Sequence, residues 1–368
     1  MRLGIAGSIA FAAVLAGCAV PGEAPRERPM TAVEGRVFVA RYLPAKLDDR
    51  DGWAMDIWTA MNALHVGMTR ENVCAVVAVT EQETNFHVDP PIPNLAAIAW
   101  KEIDRQGEQI GIPKLALHAA LALPSGNGQS YSDRIDAART EGELSEIFED
   151  FIDRVPLGKR FLEERNPVRT AGPMQVSVSF ARVQVAKGYP YPVKGSIRDE
   201  VFTRRGGLYF GIAHLLDYPA PYDNDLYRFA DYNAGRYASR NAAFQNALAI
   251  ASGATLDLDG DLLRFDHGEP SSEPGATELA ARGIAARLGM SAADIRRDLG
   301  HGNGAGLEAT PLYKQVFALA DARSGKAVPR AMLPRIELRS PKITRKFTTE
   351  RFARRVAERQ HNCLARAT

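Results

Sequence analysis

The chain has almost no net charge and very few cysteines. Its 46 basic and 44 acidic side chains leave a formal charge of +2. Without an excess of Lys and Arg to neutralise phosphates, nucleic acid is not expected as a partner. Three cysteines in 368 residues exclude a disulfide-dense mini-scaffold. The seven histidines show no H-E-x-x-H or paired-ligand spacing, so no metal and no cofactor are expected. A G-x-S-x-G nucleophile elbow is absent. Asp257, Asp259 and Asp261 begin like a calcium loop, but that loop needs Gly and Glu where Leu262 and Gly268 stand. His301 sits in a glycine-rich run without the Lys-Ser/Thr of a phosphate loop. There is no internal repeat. What remains is an ordinary globular composition, 45% apolar and 24% charged, long enough for one large domain or two.

One long apolar run exists, from Leu3 to Leu15. It falls short of the roughly 20 residues that span a bilayer. With Arg2 before it, it fits an export signal. It ends in Leu15-Ala16-Gly17-Cys18, which resembles the lipobox of bacterial lipoproteins. That resemblance implies cleavage before Cys18, lipidation of its thiol and new amino group, and anchoring by acyl chains. Ala19 replaces the Asp that marks retention at the inner membrane, so an outer-membrane anchor facing the periplasm is expected. Residues 1–17 are then the signal peptide and 18–45 a tether, extended by its prolines and charges. In an oxidising periplasm Cys74 and Cys363 are a candidate disulfide, the alternative being two buried thiols.

Periodicity predicts a mainly α fold. Trp53, Ile57, Met61 and Leu64 recur as on one helix face, and Thr69 reads as an N-cap. By propensity and periodicity the valine-rich run 73–79 suits either a strand or a buried helix, and the motif that follows it favours the helix. Helices are expected over 95–106, 113–123, 141–151, 198–217, from 225 onward, and over 276–288, 292–299, 312–322 and 350–360. Cys363 is placed just past the last of these. Residues 255–264 read as a β-hairpin turning at Asp259-Gly260.

Three short motifs carry chemistry. Glu83-Thr84 follows the apolar run, where partial burial would raise a carboxyl group's pKa and suit it to general acid work. Gly172-Pro173-Met174-Gln175 comes second and Tyr232-Asn233-Ala234-Gly235 third. In this order they resemble the lytic transglycosylases of the goose-type lysozyme superfamily, over about 70–90 and 170–250. The family pattern is a catalytic Glu followed by Ser, then G-L-M-Q, then A-Y-N-A-G. Thr84, Pro173, Asp231 and Arg236 depart from it.

The resemblance implies Glu83 as the single catalytic acid. Thr84, Met174, Gln175, Tyr232 and Asn233 would contact a peptidoglycan glycan strand. It implies a lysozyme-like domain over 46–250, with a helical insertion 91–165, and a helical extension 251–368 carrying the small hairpin. The insertion is expected to form a cleft wall or a surface for an envelope protein partner. Asp231 is a candidate second carboxylate, which a hydrolase would need. A non-catalytic wall-binding lipoprotein is the rival reading. The basic stretch 335–355 is either a solvated face or attracted to anionic polymers.

Overall fold

The computed structural model describes residues 30–155, 158, 162, 165–220, 222–266, 268–338 and 347–366. The signal peptide, the lipobox with Cys18, and Lys342, Arg345 and Lys346 of the basic stretch lie outside them. The fold is mainly α, as expected, with three small two-stranded sheets among the described residues.

Helices α1 (Ala32–Ala40), α2 (Arg50–Ala63) and α3 (Arg70–Glu83) open the chain. Helix α1 starts at a capping box of Thr31 and Glu34, and Val39, Tyr42 and Leu43 beyond are buried. The tether expected over 18–45 is therefore not extended from Thr31 onward. Trp53, Ile57 and Met61 are the buried face of α2. Thr69 caps α3, its hydroxyl accepting from the Asn72 amide. The run 73–79 is helical and buried throughout. A helix apolar on every side is stable only when other elements surround it, and α3 is the axis of the first core.

The insertion folds as α4 (Leu95–Gln109), α5 (Lys114–Leu121), α6 (Tyr131–Ala137) and α7 (Glu141–Arg154), with a small core of its own. Two features tie it down. The Asp89 carboxylate accepts from the Gly142 amide at 3.2 Å, in the first turn of α7, and Phe202 packs against both cores.

Strands β1 (Thr170–Ala171) and β2 (Val176–Ser177) form an antiparallel hairpin around residues 172–175. Then come α8 (Val178–Gln184), α9 (Ile197–Phe202), α10 (Arg204–Leu216), α11 (Asp225–Ala234) and α12 (Ala238–Ser252). The single helix expected over 198–217 is broken at Thr203, which is extended. Its hydroxyl accepts from the Gly206 amide to start α10 and donates to the Glu200 carbonyl that ends α9.

The second core joins α12 to α13 (Ala276–Gly283), α14 (Ala285–Leu288), α15 (Ala292–Leu299) and α16 (Pro311–Ser324). No hairpin forms over 255–264. The polar groups at its expected turn are taken instead by α12: Gln245 donates to Asp259 at 2.7 Å and accepts from the Gly260 amide at 2.8 Å, while Asn241 donates to the Gly260 carbonyl. The hairpin lies further on, as β3 (Phe265–Asp266) and β4 (Glu269–Pro270). After β5 (Glu337–Leu338) and β6 (Phe347–Thr348), α17 (Thr349–Arg366) returns to the first core. Cys363 lies inside α17, not past its end, and is bonded to Cys74 of α3 with Cα atoms 5.5 Å apart.

Candidate functional site

Glu83 is the last residue of α3, and Thr84 is its C-cap. The chain then turns sharply through Asn85 and Phe86, both left-handed (φ 50° and 63°). Such a conformation is costly for a bulky residue and is held by its surroundings. Here the Phe86 ring is buried edge-on against Trp53, centroids 5.2 Å apart. The turn leaves Glu83 partly exposed and Thr84 buried.

The two carboxylates of Glu81-Gln82-Glu83 have different surroundings. Glu81 faces α17, paired with Arg359 at 2.9 Å and Arg366 at 3.3 Å. Gln82 accepts from Arg359 as well. Glu81 thus latches α17 to α3 near the disulfide, and Glu83 is the one directed elsewhere.

Two hydrogen bonds bring the three motifs together. The Thr84 hydroxyl donates to the Pro173 carbonyl at 2.8 Å. The Tyr232 hydroxyl donates to the Met174 carbonyl at 2.5 Å. Burial pushes the Tyr232 phenol well above its usual range, and the negative charge of Glu83 pushes it further. Glu83, the hairpin turn and α11 therefore share one neighbourhood.

The turn is seated by glycine. At Gly172 (φ 74°) a Cβ would lie 2.3 Å from the Val201 carbonyl oxygen and 3.0 Å from the Cα of Gly207. One turn along α10, a Cβ on Gly211 would strike the Met174 sulfur at 2.6 Å. Glycines four apart open one face of α10 to the hairpin.

The roles expected for the binding residues are redistributed. Met174 is fully buried against α10 and lines no open groove. The hydroxyl protons of Thr84 and Tyr232 are committed to hairpin carbonyls. Gln175, left-handed at φ 49°, donates its amide to the Gly172 carbonyl and accepts from Thr170, both at 3.3 Å, and stays partly exposed. Asn233, also partly exposed, accepts from the Thr349 hydroxyl at the start of α17.

Asp231 is not a cleft carboxylate. It is fully buried and accepts from Tyr218, Tyr222 and the amides of Tyr237 and Ser239, at 2.7–3.0 Å. Burial raises its pKa, while the hydrogen bonds from Ser239, Tyr222 and Tyr218 oppose the rise. It starts α12 as an N-cap acceptor would, so it cannot hold a water for hydrolysis.

Two residues of this neighbourhood carried no clear sequence signal. His214 of α10 contacts the Tyr232 carbonyl through Nε2 at 3.3 Å, and its ring packs against Tyr232 and Phe180. Burial, with Arg236 beside it, lowers its pKa to about 4. Arg236 binds the carbonyls of Ala213 and His214, closing the C-terminus of α10. Its position one past Gly235, where the family resemblance puts Pro, was the available hint. Beyond it opens a cavity of about 270 Å³ whose lining mixes His214, Arg236, Asn241, Asp259 and Asp261 with Phe180, Ala234 and Ala238. Among the described residues no group of His, Cys, Asp and Glu is placed to hold a metal ion.

A family model described as a protein of unknown function, DUF1615, matches residues 46–366. The chain belongs to this family. It is similar to the "Uncharacterized protein YaiW" of Escherichia coli (strain K12), 52% identical over 351 residues that cover 95% of each chain. No solved structure matches. The DUF1615 span contains Glu83, the hairpin turn, the Tyr232 segment and both bridged cysteines, and it begins after α1.

Proposed function

We propose that this protein is an outer-membrane lipoprotein acting on peptidoglycan as a lytic transglycosylase, with Glu83 as its one catalytic acid and base. The observation that carries the reading is the convergence of Glu83-Thr84, the 172–175 turn and Tyr232-Asn233, held by the Thr84–Pro173 and Tyr232–Met174 hydrogen bonds. On this reading Glu83 protonates the glycosidic oxygen between N-acetylmuramic acid and N-acetylglucosamine. It then takes the proton from the muramoyl 6-hydroxyl as that oxygen attacks C1. The new C1–O6 bond gives a 1,6-anhydro end, and no water enters. Gln175 and Asn233, the partly exposed polar members, are the groups available to orient the sugar. Thr84, Met174 and Tyr232 act behind them by fixing the turn. The Cys74–Cys363 bridge supports an oxidising compartment, and the lipobox-like Cys18 supports the anchor.

A second reading, a wall-binding lipoprotein without turnover, draws on the burial of Thr84 and Met174, which leaves fewer groups for substrate than the resemblance implies. Purified peptidoglycan incubated with the lipid-free chain from Cys18 onward separates the two by mass spectrometry of the released fragments. Anhydro-ended fragments, lost in Glu83→Gln, are the expected result. Reducing ends would indicate a hydrolase. Binding without release would overturn the catalytic reading.

A further inference from the structure

The insertion does not fill its own interior. Helices α4, α5 and α7 line a half-open cavity of about 340 Å³, within the range of small-molecule pockets. Apolar surface left uncovered in this way forgoes the stabilisation of burial. The walls are formed by apolar residues such as Ile103, Leu117, Ile147 and Phe151, with small residues where larger ones would close the space: Gly107, Ala116 and Ala120. At Gly107 a Cβ would meet the Leu117 side-chain methyl at 2.7 Å, so a larger residue there would push into the cavity wall. A cleft so lined accepts apolar ligands. Its mouth is apolar too. Ile110 and Ile112 line the cavity yet remain 37% and 38% exposed. Among the described lining residues the one charged side chain is Arg165.

We propose that the insertion binds a single fatty acyl chain bearing an anionic head. The chain lies between α4, α5 and α7, and the head meets the Arg165 guanidinium. Arginine pairs with a carboxylate or a phosphate through parallel N–H donors. The exposed Ile110 and Ile112 on the lining let a chain enter without crossing a polar barrier. This inference is independent of any activity at Glu83.

The test is a titration of the lipid-free chain with cis-parinaric acid, followed by displacement with dodecanoate and with dodecanol. Saturable binding of one probe per chain is expected. Ala116→Trp, at an exposed position on the mouth, is expected to weaken binding at least tenfold with an unchanged melting temperature. Ala120→Phe, which fills the interior, is expected to act in the same direction. Arg165→Ala is expected to weaken dodecanoate about tenfold and leave dodecanol unchanged. Competition by phosphatidylglycerol vesicles assigns the chain to membrane lipid, and its absence with dodecanoate still bound assigns it to free fatty acid. Non-saturating binding, or equal binding by wild type and both blocking variants, overturns the site. A dodecanoate affinity indifferent to Arg165→Ala overturns the placing of the head.

Discussion

The lobe around α3 and the insertion of α4 to α7 use similar apolar residues and pack them to different standards. In the lobe, Val73, Val76, Val77, Val79, Leu208 and Phe210 are fully buried, a disulfide joins the first and last described segments, and glycines on α10 bring backbone against backbone. In the insertion, Leu117, Phe151 and Ile103 are only partly covered and border a cavity. On the two proposals above, the difference separates two tasks. Holding Glu83, Gln175 and Asn233 in register requires sub-ångström precision from the shell behind them. An insertion that accommodates a flexible chain needs volume, which is incompatible with close packing.

The largest effect expected is loss of the bridge. Cys74→Ser with Cys363→Ser removes a link between residues 289 apart, worth about 6 kcal/mol in the chain-entropy model. Urea unfolding measures the loss, and amide exchange locates it. Exchange should accelerate in α3 and α17 and change least in α4 to α7. Uniform acceleration would mean that lobe and insertion open as one unit, and the contrast would fail. Next is a pair of truncations. Phe210→Ala in the lobe is expected to cost about 3–5 kcal/mol, and Leu117→Ala beside the cavity about 1–2 kcal/mol, because the latter removes contacts from a wall that already lacks partners on one side. Equal costs would show the insertion to be as tightly packed as the lobe.

The same contrast governs how much could be read from the sequence. Local signals were legible where one element answers to its own residues. The Thr69 cap and the Trp53-Ile57-Met61 face hold because caps and helix faces are set within a few positions. The 73–79 run became helical because other elements surround it, which its valines could not reveal alone. Features decided by distant partners were misread or missed. The 255–264 segment has the alternation and Asp-Gly turn of a hairpin, but Asn241 and Gln245 of α12 take its polar groups. Thr203 breaks a helix by serving one end of two. Asp231 looked like a second acid in the cleft, yet the donors that bury it come from Tyr218, Tyr222, Tyr237 and Ser239. Of the candidate site, the convergence of the motifs was legible as order along the chain. The exchange of roles, in which Thr84 and Tyr232 bind hairpin carbonyls, was not.

The tight lobe still carries two local costs, both at the motifs. His214 has an Nδ1 that is buried without a hydrogen-bond partner among the described residues. Its pKa falls to about 4 in the fold, below the ordinary value near 6.5. The folded state thus favours the neutral ring. This contribution is fully present above about pH 6.5 and is lost as pH falls from there towards 4. Stability should drop on the order of 2 kcal/mol between pH 7.5 and 4.5 from this group, and His214→Leu should flatten that part of the profile. An unchanged slope in the variant would assign the acid sensitivity to other groups.

The smallest effect is also the most informative about function. Gln175 holds a left-handed conformation at φ 49°, which a glycine adopts without penalty. Gln175→Gly should therefore stabilise the protein by about 1 kcal/mol in urea unfolding. It also removes the partly exposed amide that the proposed reaction needs beside Glu83. Higher stability with reduced release of anhydro-ended fragments would show that the lobe keeps a strained residue for its side chain. Higher stability with undiminished release would reduce Gln175 to a turn residue and leave Asn233 to orient the sugar.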